Sequence, residues 1–354
     1  MGLFDDMLNS EESLIKNDEA LDFEFVPKIM PYRENQHKYI AECIKPLFQG
    51  RSGRNLFISG SPGIGKTAAV KNVFRDLEEQ TDDIVPVYIN CWQKNTTYKV
   101  ILAICETLNY KFTQNKKTEE LFKVVKNIIN KQSAVFAFDE VDKLEDLDFL
   151  YSILEEIYKK TVILITNYKE WIINLDPRIK SRINLDTIHF NAYNEAETIG
   201  ILKKRIQSAF VAGVWEEEAI RLISKKTYET KDIRQGIYLL RESGLIAESE
   251  SSKKIKVEHA KNAVGKINEF RIKDPDDLEE DTRIVLEIVK KNSGKKIGEL
   301  FEVYKKEGGK KTYKTFQRKI DKLEQNKFID TNKTAGGAEG NTTIISYNKT
   351  LDEF

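Results

Sequence analysis

The sequence contains few of the residues that disulfide-bonded and metal-binding proteins need. Its 354 residues include only three cysteines, Cys43, Cys91 and Cys105, and three histidines. The cysteines form no Cys-x-x-Cys motif, so neither a disulfide framework nor a zinc site is predicted. No apolar run approaches the ~18 residues of a membrane helix. The first residues are acidic and lack the basic and apolar regions of a signal peptide. We therefore expect a cytoplasmic protein that does not contact membranes.

Charge is balanced over the whole chain but unevenly distributed along it. Lys and Arg number 57, as do Asp and Glu, yet residues 1–30 hold eight acids and only two lysines. Residues 274–281 hold six acids and no base, and residues 290–327 hold thirteen Lys or Arg against five acids. Opposite charges in separate segments favour separate modules with separate partners. For the basic segment, an ordinary lysine-rich surface is the alternative.

Five short apolar segments, separated by segments of helical periodicity, occur in the first 190 residues. They are residues 55–59, 84–89, 134–138, 161–166 and 187–190. This alternation predicts an α/β fold with a parallel sheet covered on both faces. From about residue 194 to residue 271 the pattern is helical only, with clear helices over 195–211 and 232–247. The core-facing residues predicted for the second helix are Ile233, Ile237, Leu240 and Leu245.

A glycine-rich segment of the form G-x-x-x-x-G-K-T directly follows the first strand and precedes a predicted helix over residues 67–79. In this context, backbone N–H groups and the helix N-terminus bind polyphosphate. Lys66 is expected to contact the β- and γ-phosphates, and the Thr67 hydroxyl to ligate Mg²⁺. We therefore predict ATP or ADP with Mg²⁺ as the cofactor. The predicted nucleotide-contacting segment comprises Gly60, Ser61, Pro62, Gly63, Ile64, Gly65, Lys66, Thr67 and Ala68.

Two adjacent carboxylates, Asp139 and Glu140, end the third strand. Unpaired carboxylates are costly at the end of a buried strand, which favours a functional role for the pair. Asp139 is expected to contact the hydrated Mg²⁺ through the waters bound to it, and Glu140 to polarise the attacking water. Asn167 ends the fourth strand at the same edge of the sheet and is expected to position water or contact the γ-phosphate. A simple strand-end role is the alternative for Asn167.

Three arginines are further catalytic candidates. Arg178 and Arg182 precede the fifth strand, where either can reach the nucleotide of a neighbouring subunit as an arginine finger. A surface ion pair is the alternative for each of them. Arg234 begins the long helix of the all-helical region and is expected to contact the γ-phosphate. The alternative for Arg234 is an ion pair with Asp232 at the helix N-terminus.

Residues 282–354 are predicted to form a winged helix-turn-helix module. Helices are expected over 281–291, 297–306 and 312–326, followed by two β-like stretches around a glycine-rich loop. The apolar face predicted for the third helix comprises Tyr313, Phe316, Ile320 and Leu323. Its polar, basic face is predicted to lie in the major groove of duplex DNA, and a protein-binding winged helix is the alternative. The predicted DNA-binding residues are Lys311, Lys314, Thr315, Gln317, Arg318, Lys322 and Lys333.

With these motifs the chain resembles an AAA+ ATPase. More narrowly, it resembles the archaeal replication initiators related to origin recognition complex subunit one and cell-division-cycle protein six. The resemblance extends over nearly the whole chain and includes Tyr32 and Arg33, which it implies help to seat the adenine. It also implies nucleotide contacts for Tyr193 and Arg205. The chain departs from the family pattern at two positions: Lys231 replaces a glycine, and Trp92 replaces a commonly basic residue.

The resemblance implies a fold with three parts: an AAA+ parallel-sheet ATPase domain, an all-α lid domain and a C-terminal winged-helix domain. The expected boundaries are an acidic N-terminal segment at 1–30, the AAA+ domain at 31–192, the lid at 193–273, an acidic linker at 274–281 and the winged helix at 282–354.

The same resemblance implies a nucleoid-associated, ATP-dependent initiator that binds double-stranded origin DNA and hydrolyses ATP slowly, as a switch. The partners it implies are the replicative helicase and, on DNA, further copies or a paralogous initiator. Two alternatives remain open: an ATP-switched transcription regulator, and another AAA+ DNA-processing ATPase such as a clamp-loader subunit.

Overall fold

The computed structural model describes residues 13–271, 280–309, 311–325, 328–334 and 342–347. The chain divides into two compact units, Met1–Ala263 and Val264–Phe354. Residues 1–12, residues 274–279 of the predicted acidic linker and residues 335–341 of the predicted wing loop lie outside the described residues.

A five-stranded parallel sheet forms the centre of the first unit. Its strands are β1 (Asn55–Gly60), β2 (Ile84–Asn90), β3 (Ser133–Asp139), β4 (Lys160–Thr166) and β5 (Leu185–Phe190). Their spatial order is β2-β3-β4-β1-β5. Every residue of β3 is buried, as expected for a central strand with helices on both faces. All five predicted strands are confirmed.

Helices cover both faces of this sheet. They are α1 (Glu34–Ile44), α2 (Lys66–Gln80), α3 (Thr97–Thr107), α4 (Thr118–Ile129), α5 (Asp148–Glu156) and the short α6 (Pro177–Lys180). Phe136 and Phe138 pack with α3, α4 and α5 in one apolar cluster. Ile58 and Val70 belong to a second cluster, built from α1, α2 and the other face of the sheet. The α/β prediction is therefore confirmed.

The helical region that follows is formed by α7 (Glu195–Ala209), α8 (Glu217–Thr230), α9 (Ile233–Ser249) and α10 (Val257–Arg271). Asn194 and Glu197 form a capping box at the start of α7, which satisfies two otherwise unpaired N–H groups. Lys231, which replaces the glycine usual in the family, ends α8 in the left-handed region with φ +54°. Asp232 then caps α9.

One core assignment in α9 is wrong. Ile237 and Leu240 are buried as predicted, whereas Leu245 is 43% exposed. With 3.6 residues per turn, position 244 and not 245 returns to the face of Leu240. That position is Gly244, where an added Cβ would lie 2.8 Å from the ring of Phe210.

The described part of the acidic N-terminal segment packs along the first unit. Ile15 forms an antiparallel bridge with Phe210, and the Glu248 carboxylate accepts a hydrogen bond from the backbone N–H of Leu14 at 2.7 Å. Farther along, the side chain of Asn72 in α2 donates to the carbonyl of Pro27 at 2.9 Å. The segment therefore connects the helical region with the first helix after β1.

Beyond the end of α10, the described residues of the second unit form three helices and a small antiparallel sheet. These elements are α11 (Glu280–Lys291), β6 (Lys295–Lys296), α12 (Ile297–Lys306), α13 (Tyr313–Gln325), β7 (Ile329–Thr334) and β8 (Thr342–Tyr347). The sheet order is β6-β8-β7. Phe316, Ile320 and Leu323 of α13 are buried in the core of this unit, whereas Tyr313 remains 39% exposed. This is the element order predicted for a winged helix, with β6 as an unpredicted addition.

Within the described ranges, no helix combines the length and the apolar character needed to cross a membrane.

Candidate functional sites

The loop between β1 and α2 (residues 60–68, the phosphate loop) has the backbone of an anion-binding turn. Gly63 and Gly65 have φ angles of +73° and +89°, a left-handed region that glycine enters without steric cost. At Gly63 a Cβ would also lie 1.9 Å from the Asp232 carboxylate. The two glycines therefore let the backbone turn tightly and let the helical region approach the loop.

A cavity of about 340 Å³ opens beside the phosphate loop, between the carboxyl edge of the sheet and the helical region. Within the predicted nucleotide-contacting segment, Gly60, Ser61 and Ile64 do not line the cavity, and Ile64 is buried. The predicted residues that do line it are Pro62, Gly63, Gly65, Lys66, Thr67, Ala68, Asp139, Glu140, Asn167, Tyr193, Arg205 and Arg234. The sheet edge and the helical region thus contribute to one site.

Lys66 lies buried at the floor of the cavity and is held at three points. Its Nζ donates to the carbonyls of Gly60 and Ser61 at 2.8 and 2.9 Å, and to Oδ1 of Asn167 at 2.7 Å. Desolvation lowers the pKa of Lys66 to about 8, with the Asp139 carboxylate acting in the opposite direction. Asn167, the first residue after β4, therefore orients the lysine of the phosphate loop.

The Asp139 carboxylate accepts three hydrogen bonds. Its Oδ2 accepts from the Thr67 hydroxyl of α2 and, at 2.8 Å, from the Tyr88 hydroxyl of β2. Its Oδ1 accepts from the backbone N–H of Glu140 at 2.9 Å. Asp139 is only 3% exposed, and these bonds offset the cost of burying a carboxylate.

Glu140 follows Asp139 with a strained backbone. Its φ of +56° and ψ of +47° place a non-glycine residue in the left-handed region, which costs free energy and is found preferentially at functional sites. Burial and the neighbouring carboxylates of Asp139 and Asp142 raise the pKa of Glu140. This is the direction that suits a carboxylate acting as a proton acceptor near neutral pH.

Arg234 lines the cavity and is paired with Asp232. Its Nε and Nη2 donate to the two Asp232 oxygens at 3.1 and 2.9 Å. The ion pair with Asp232, the alternative to a γ-phosphate contact, is therefore present in this chain. A guanidinium has five N–H donors, and Asp232 accepts from two of its nitrogens. The pair therefore does not exhaust the capacity of Arg234 to bind an anion in the cavity.

Arg178 and Arg182 do not line the cavity. Arg178 is bound by Asp176 at 2.9 Å with 72% of its side chain exposed, and Arg182 pairs with Glu155. Within a single chain, both arginines thus form the surface ion pairs considered from the sequence. A role toward a neighbouring subunit stays a prediction.

The four nucleotide contacts implied by the family resemblance divide into two pairs. Tyr193 and Arg205 line the cavity, whereas Tyr32 and Arg33 do not. Arg33 is 4% exposed and donates to the Tyr193 hydroxyl at 3.0 Å and to the Asn191 carbonyl at 2.7 Å. Arg33 therefore does not face the cavity but holds Tyr193, which lines it.

Several cavity residues were not identified from the sequence. Phe25, Val26 and Pro27 line the cavity although they belong to the acidic N-terminal segment, and no motif marks them. Arg205 lies over the Phe25 ring at 5.0 Å, and burial lowers the pKa of Arg205 to about 10. Tyr88 was also missed; it shares a face of β2 with Asn90, two residues later, and both residues line the cavity.

Part of the predicted basic face of α13 is exposed, and DNA binding by it stays a prediction. Lys314, Gln317 and Arg318 are exposed, and Thr315 is half-buried. Lys311 lies 3.7 Å from the Asp281 carboxylate. The side chains of Lys322 and Lys333 lie outside the described residues.

Trp92, the second departure from the family pattern, is 64% exposed, and Lys143 Nζ lies 4.8 Å from the centre of its ring. In the part of the chain that the structure describes, no group of three or more His, Cys, Asp or Glu side chains is arranged to hold a metal ion.

Comparison with known proteins identifies the family. Residues 50–169 match the AAA domain family, and residues 199–265 match the Cdc6 AAA+ ATPase-type lid domain. ORC1-type DNA replication protein 1 of Sulfurisphaera tokodaii is 33% identical over 285 residues, covering 76% of this chain and 72% of that protein. The Archaeoglobus fulgidus protein of the same name is 33% identical over 337 residues, covering 88% of this chain and 80% of its own.

The chain belongs to the ORC1-type DNA replication protein family. The solved structure of the Aeropyrum pernix ORC1 protein in complex with DNA is similar to this initiator, with a TM-score of 0.73, 25% sequence identity, and coverage of 95% of this chain and 94% of that one. The Aeropyrum pernix ORC2 protein shares the fold, with a TM-score of 0.68, 16% identity, and coverage of 94% of each chain.

These matches confirm three predictions: the AAA+ fold with its helical lid, ATPase activity, and the role of replication initiator. Nucleotide binding follows from membership of the AAA+ class.

Proposed function

We propose that this initiator binds ATP with Mg²⁺ in the cavity beside the phosphate loop. We also propose that the bound nucleotide controls the affinity of the protein for origin DNA. The observation that carries the proposal is the hydrogen bond between the Thr67 hydroxyl and the Asp139 carboxylate, beside the buried Lys66. It brings together the phosphate-loop hydroxyl and the acid at the end of β3, the two kinds of group that hold Mg²⁺ in ATPases with a phosphate loop.

The residues present fit a magnesium ion. Mg²⁺ prefers oxygen ligands and keeps several waters, so one or two protein oxygens and the phosphates are sufficient. A hydroxyl that donates its one proton keeps its lone pairs, so Thr67 can bond to Asp139 and still offer an oxygen to the cavity. Thr67 and Asp139 would therefore hold the ion, which, when bound, neutralises phosphate charge.

The other cavity residues have distinct roles in this proposal. Lys66 carries positive charge to the β- and γ-phosphates, and Arg234 offers its remaining N–H groups to the γ-phosphate. Glu140 accepts a hydrogen bond from the attacking water and orients it. Bound ATP would thereby hold α9 against the phosphate loop, where the Ile233 N–H already donates to the Gly63 carbonyl at 3.1 Å.

The second unit is proposed to bind duplex DNA through α13. Lys314, Gln317 and Arg318 form an exposed, basic surface, and a helix of this kind suits the major groove. The similar Aeropyrum pernix ORC1 protein was solved in complex with DNA, which supports the same partner for this chain. Phosphate neutralisation would supply much of the affinity and make it salt-dependent.

Two further partners follow from the family and remain part of the proposal. The initiator would support recruitment of the replicative helicase, and slow hydrolysis would end that state. On DNA it would associate with further copies or a paralogous initiator, with Arg178 or Arg182 reaching the neighbour's nucleotide. Both arginines lie on the surface, where a neighbouring subunit has access to them.

Genome-wide occupancy of the full chain tests the proposal, with Lys66→Ala as the comparison. We expect binding concentrated at replication origins, and loss or redistribution of those peaks in the variant. Peaks confined to promoters would instead favour an ATP-switched transcription regulator. Unchanged peaks in the Lys66 variant would contradict control by nucleotide.

A further inference from the structure

The Tyr88 hydroxyl is a hydrogen-bond donor at the centre of the ATPase site. It lies 2.8 Å from Oδ2 of Asp139, the same oxygen that accepts from Thr67. Tyr88 also lines the cavity. Neither the phosphate loop nor the acidic end of β3 includes this residue, and its role is separate from the roles assigned above.

The position of the Tyr88 ring is fixed by its surroundings. β2 pairs with β3 in parallel, with Tyr88 beside Ala137, and the ring packs against the apolar cluster beneath α1 and α2. Lys71 of α2 holds its Nζ 4.8 Å from the ring centre. A phenol held on one side by the sheet and on the other by α2 delivers its O–H to a defined point.

The direction of this hydrogen bond is unambiguous. A tyrosine phenol carries its proton at neutral pH and donates it, here to Oδ2 of Asp139 at 2.8 Å. An ionised carboxylate can only accept. With Thr67 on the same oxygen and the Glu140 N–H on the other, Tyr88 provides the third of the three bonds that fix the carboxylate plane.

We propose that Tyr88 is a positioning residue of the ATPase site, which holds the Asp139 carboxylate in the orientation that binds magnesium together with Thr67. This inference rests on the proposed function, because it assumes that Mg²⁺ is held there. Removal of the hydroxyl leaves Oδ2 held by Thr67 alone and loosens the orientation of the carboxylate. The magnesium-dependent part of nucleotide binding should then weaken, while the part supplied by Lys66 and the loop backbone is retained.

The experiment compares Tyr88→Phe with wild type in the full chain. A fluorescent ATP analogue is titrated at a series of Mg²⁺ concentrations and also in EDTA. We expect the half-saturating Mg²⁺ concentration to rise about tenfold, as for loss of a hydrogen bond to a charged group, with affinity in EDTA unchanged. Excess Mg²⁺ should restore ATP hydrolysis, which it would not do for a merely structural defect.

Tyr39→Phe is the matched control. The Tyr39 hydroxyl also donates to a carboxylate, Asp186, at 3.3 Å, and its ring packs on the same apolar cluster, but it does not line the cavity. This variant should keep the wild-type dependence on Mg²⁺, and both variants should keep the wild-type melting temperature.

Three results would overturn the inference. One is a wild-type Mg²⁺ dependence in Tyr88→Phe, and another is an equal shift in both tyrosine variants. The third, absence of any Mg²⁺ effect in the wild type, would reject the proposed function as well, so the two failures are distinguishable.

Discussion

The Asp232 carboxylate binds the Arg234 guanidinium side-on, with Nε–Oδ1 and Nη2–Oδ2 distances of 3.1 and 2.9 Å. The same carboxylate caps α9 by accepting from the Arg234 N–H at 2.9 Å. It also occupies the space that a side chain at Gly63 would need. One aspartate thus orients an arginine, begins a helix and contacts the phosphate loop.

Arg234→Ala should reduce the preference for ATP over ADP by about tenfold, because one charge-assisted contact to the γ-phosphate is lost. ADP affinity should change little. Arg241→Ala is the control, since Arg241 lies on the same helix and pairs with Asp18 at 2.8 Å outside the cavity. Competitive titration of the two nucleotides measures the ratio. Equal loss of ATP and ADP affinity in Arg234→Ala would argue against a γ-phosphate contact.

Glu140→Gln should retain ATP binding and lower hydrolysis by about a hundredfold or more, since the amide cannot accept the proton of water. In the wild type the carboxylate must be ionised to act, and its pKa is raised. Hydrolysis should therefore fall as the pH drops through a value above that of an ordinary glutamate. Single-turnover rates across a pH series test both points. Wild-type rates in Glu140→Gln would refute the assigned role.

Lys231→Gly should raise the free energy of unfolding by about 0.5–1 kcal/mol. Lys231 has a φ of +54° at the C-terminus of α8, a conformation that is unfavourable for a residue with a Cβ. Lys225→Gly, at an exposed position inside α8, should instead lower it by about 1 kcal/mol. Denaturant titration followed by one spectroscopic probe measures the free energy of unfolding of both variants. Destabilisation by both substitutions would show that Lys231 is not under backbone strain.

Reversal of Lys314 and Arg318 to Glu should weaken duplex binding at least about tenfold and make its salt dependence shallower by about two units of slope. Both side chains are exposed on α13. Reversal of Lys305 and Lys306, exposed at the end of α12, changes the charge equally and serves as the control. Fluorescence anisotropy at several salt concentrations measures both quantities. Matching losses in the two variants would indicate a general charge effect.

Local patterns accounted for much of the site. A strand followed by a glycine-rich turn fixed the place of Lys66 and Thr67, and a buried strand ending in acids fixed Asp139. Because parallel strands end at one edge of the sheet, these side chains had to converge there.

The remaining site residues depend on contacts between distant segments. Phe25 reaches the cavity because the N-terminal segment is bound by the helical region and by α2, which no local pattern encodes. Arg33 was placed in the nucleotide site by resemblance, yet its hydrogen bonds turn it toward Tyr193. Leu245 shows a different kind of error, within one helix. The predicted helical phase was wrong by one residue, so an exposed leucine was assigned to the core.

In the proposed function, the phosphate loop binds Mg²⁺·ATP and Lys66 is essential for this binding. Isothermal titration calorimetry of the full chain with ATP and Mg²⁺ tests it most directly, with Lys66→Ala alongside. We expect binding at one site per chain for the wild type and none for the variant, with both proteins folded as judged by circular dichroism. Absence of binding by the folded wild-type chain, or equal binding by both proteins, would contradict it.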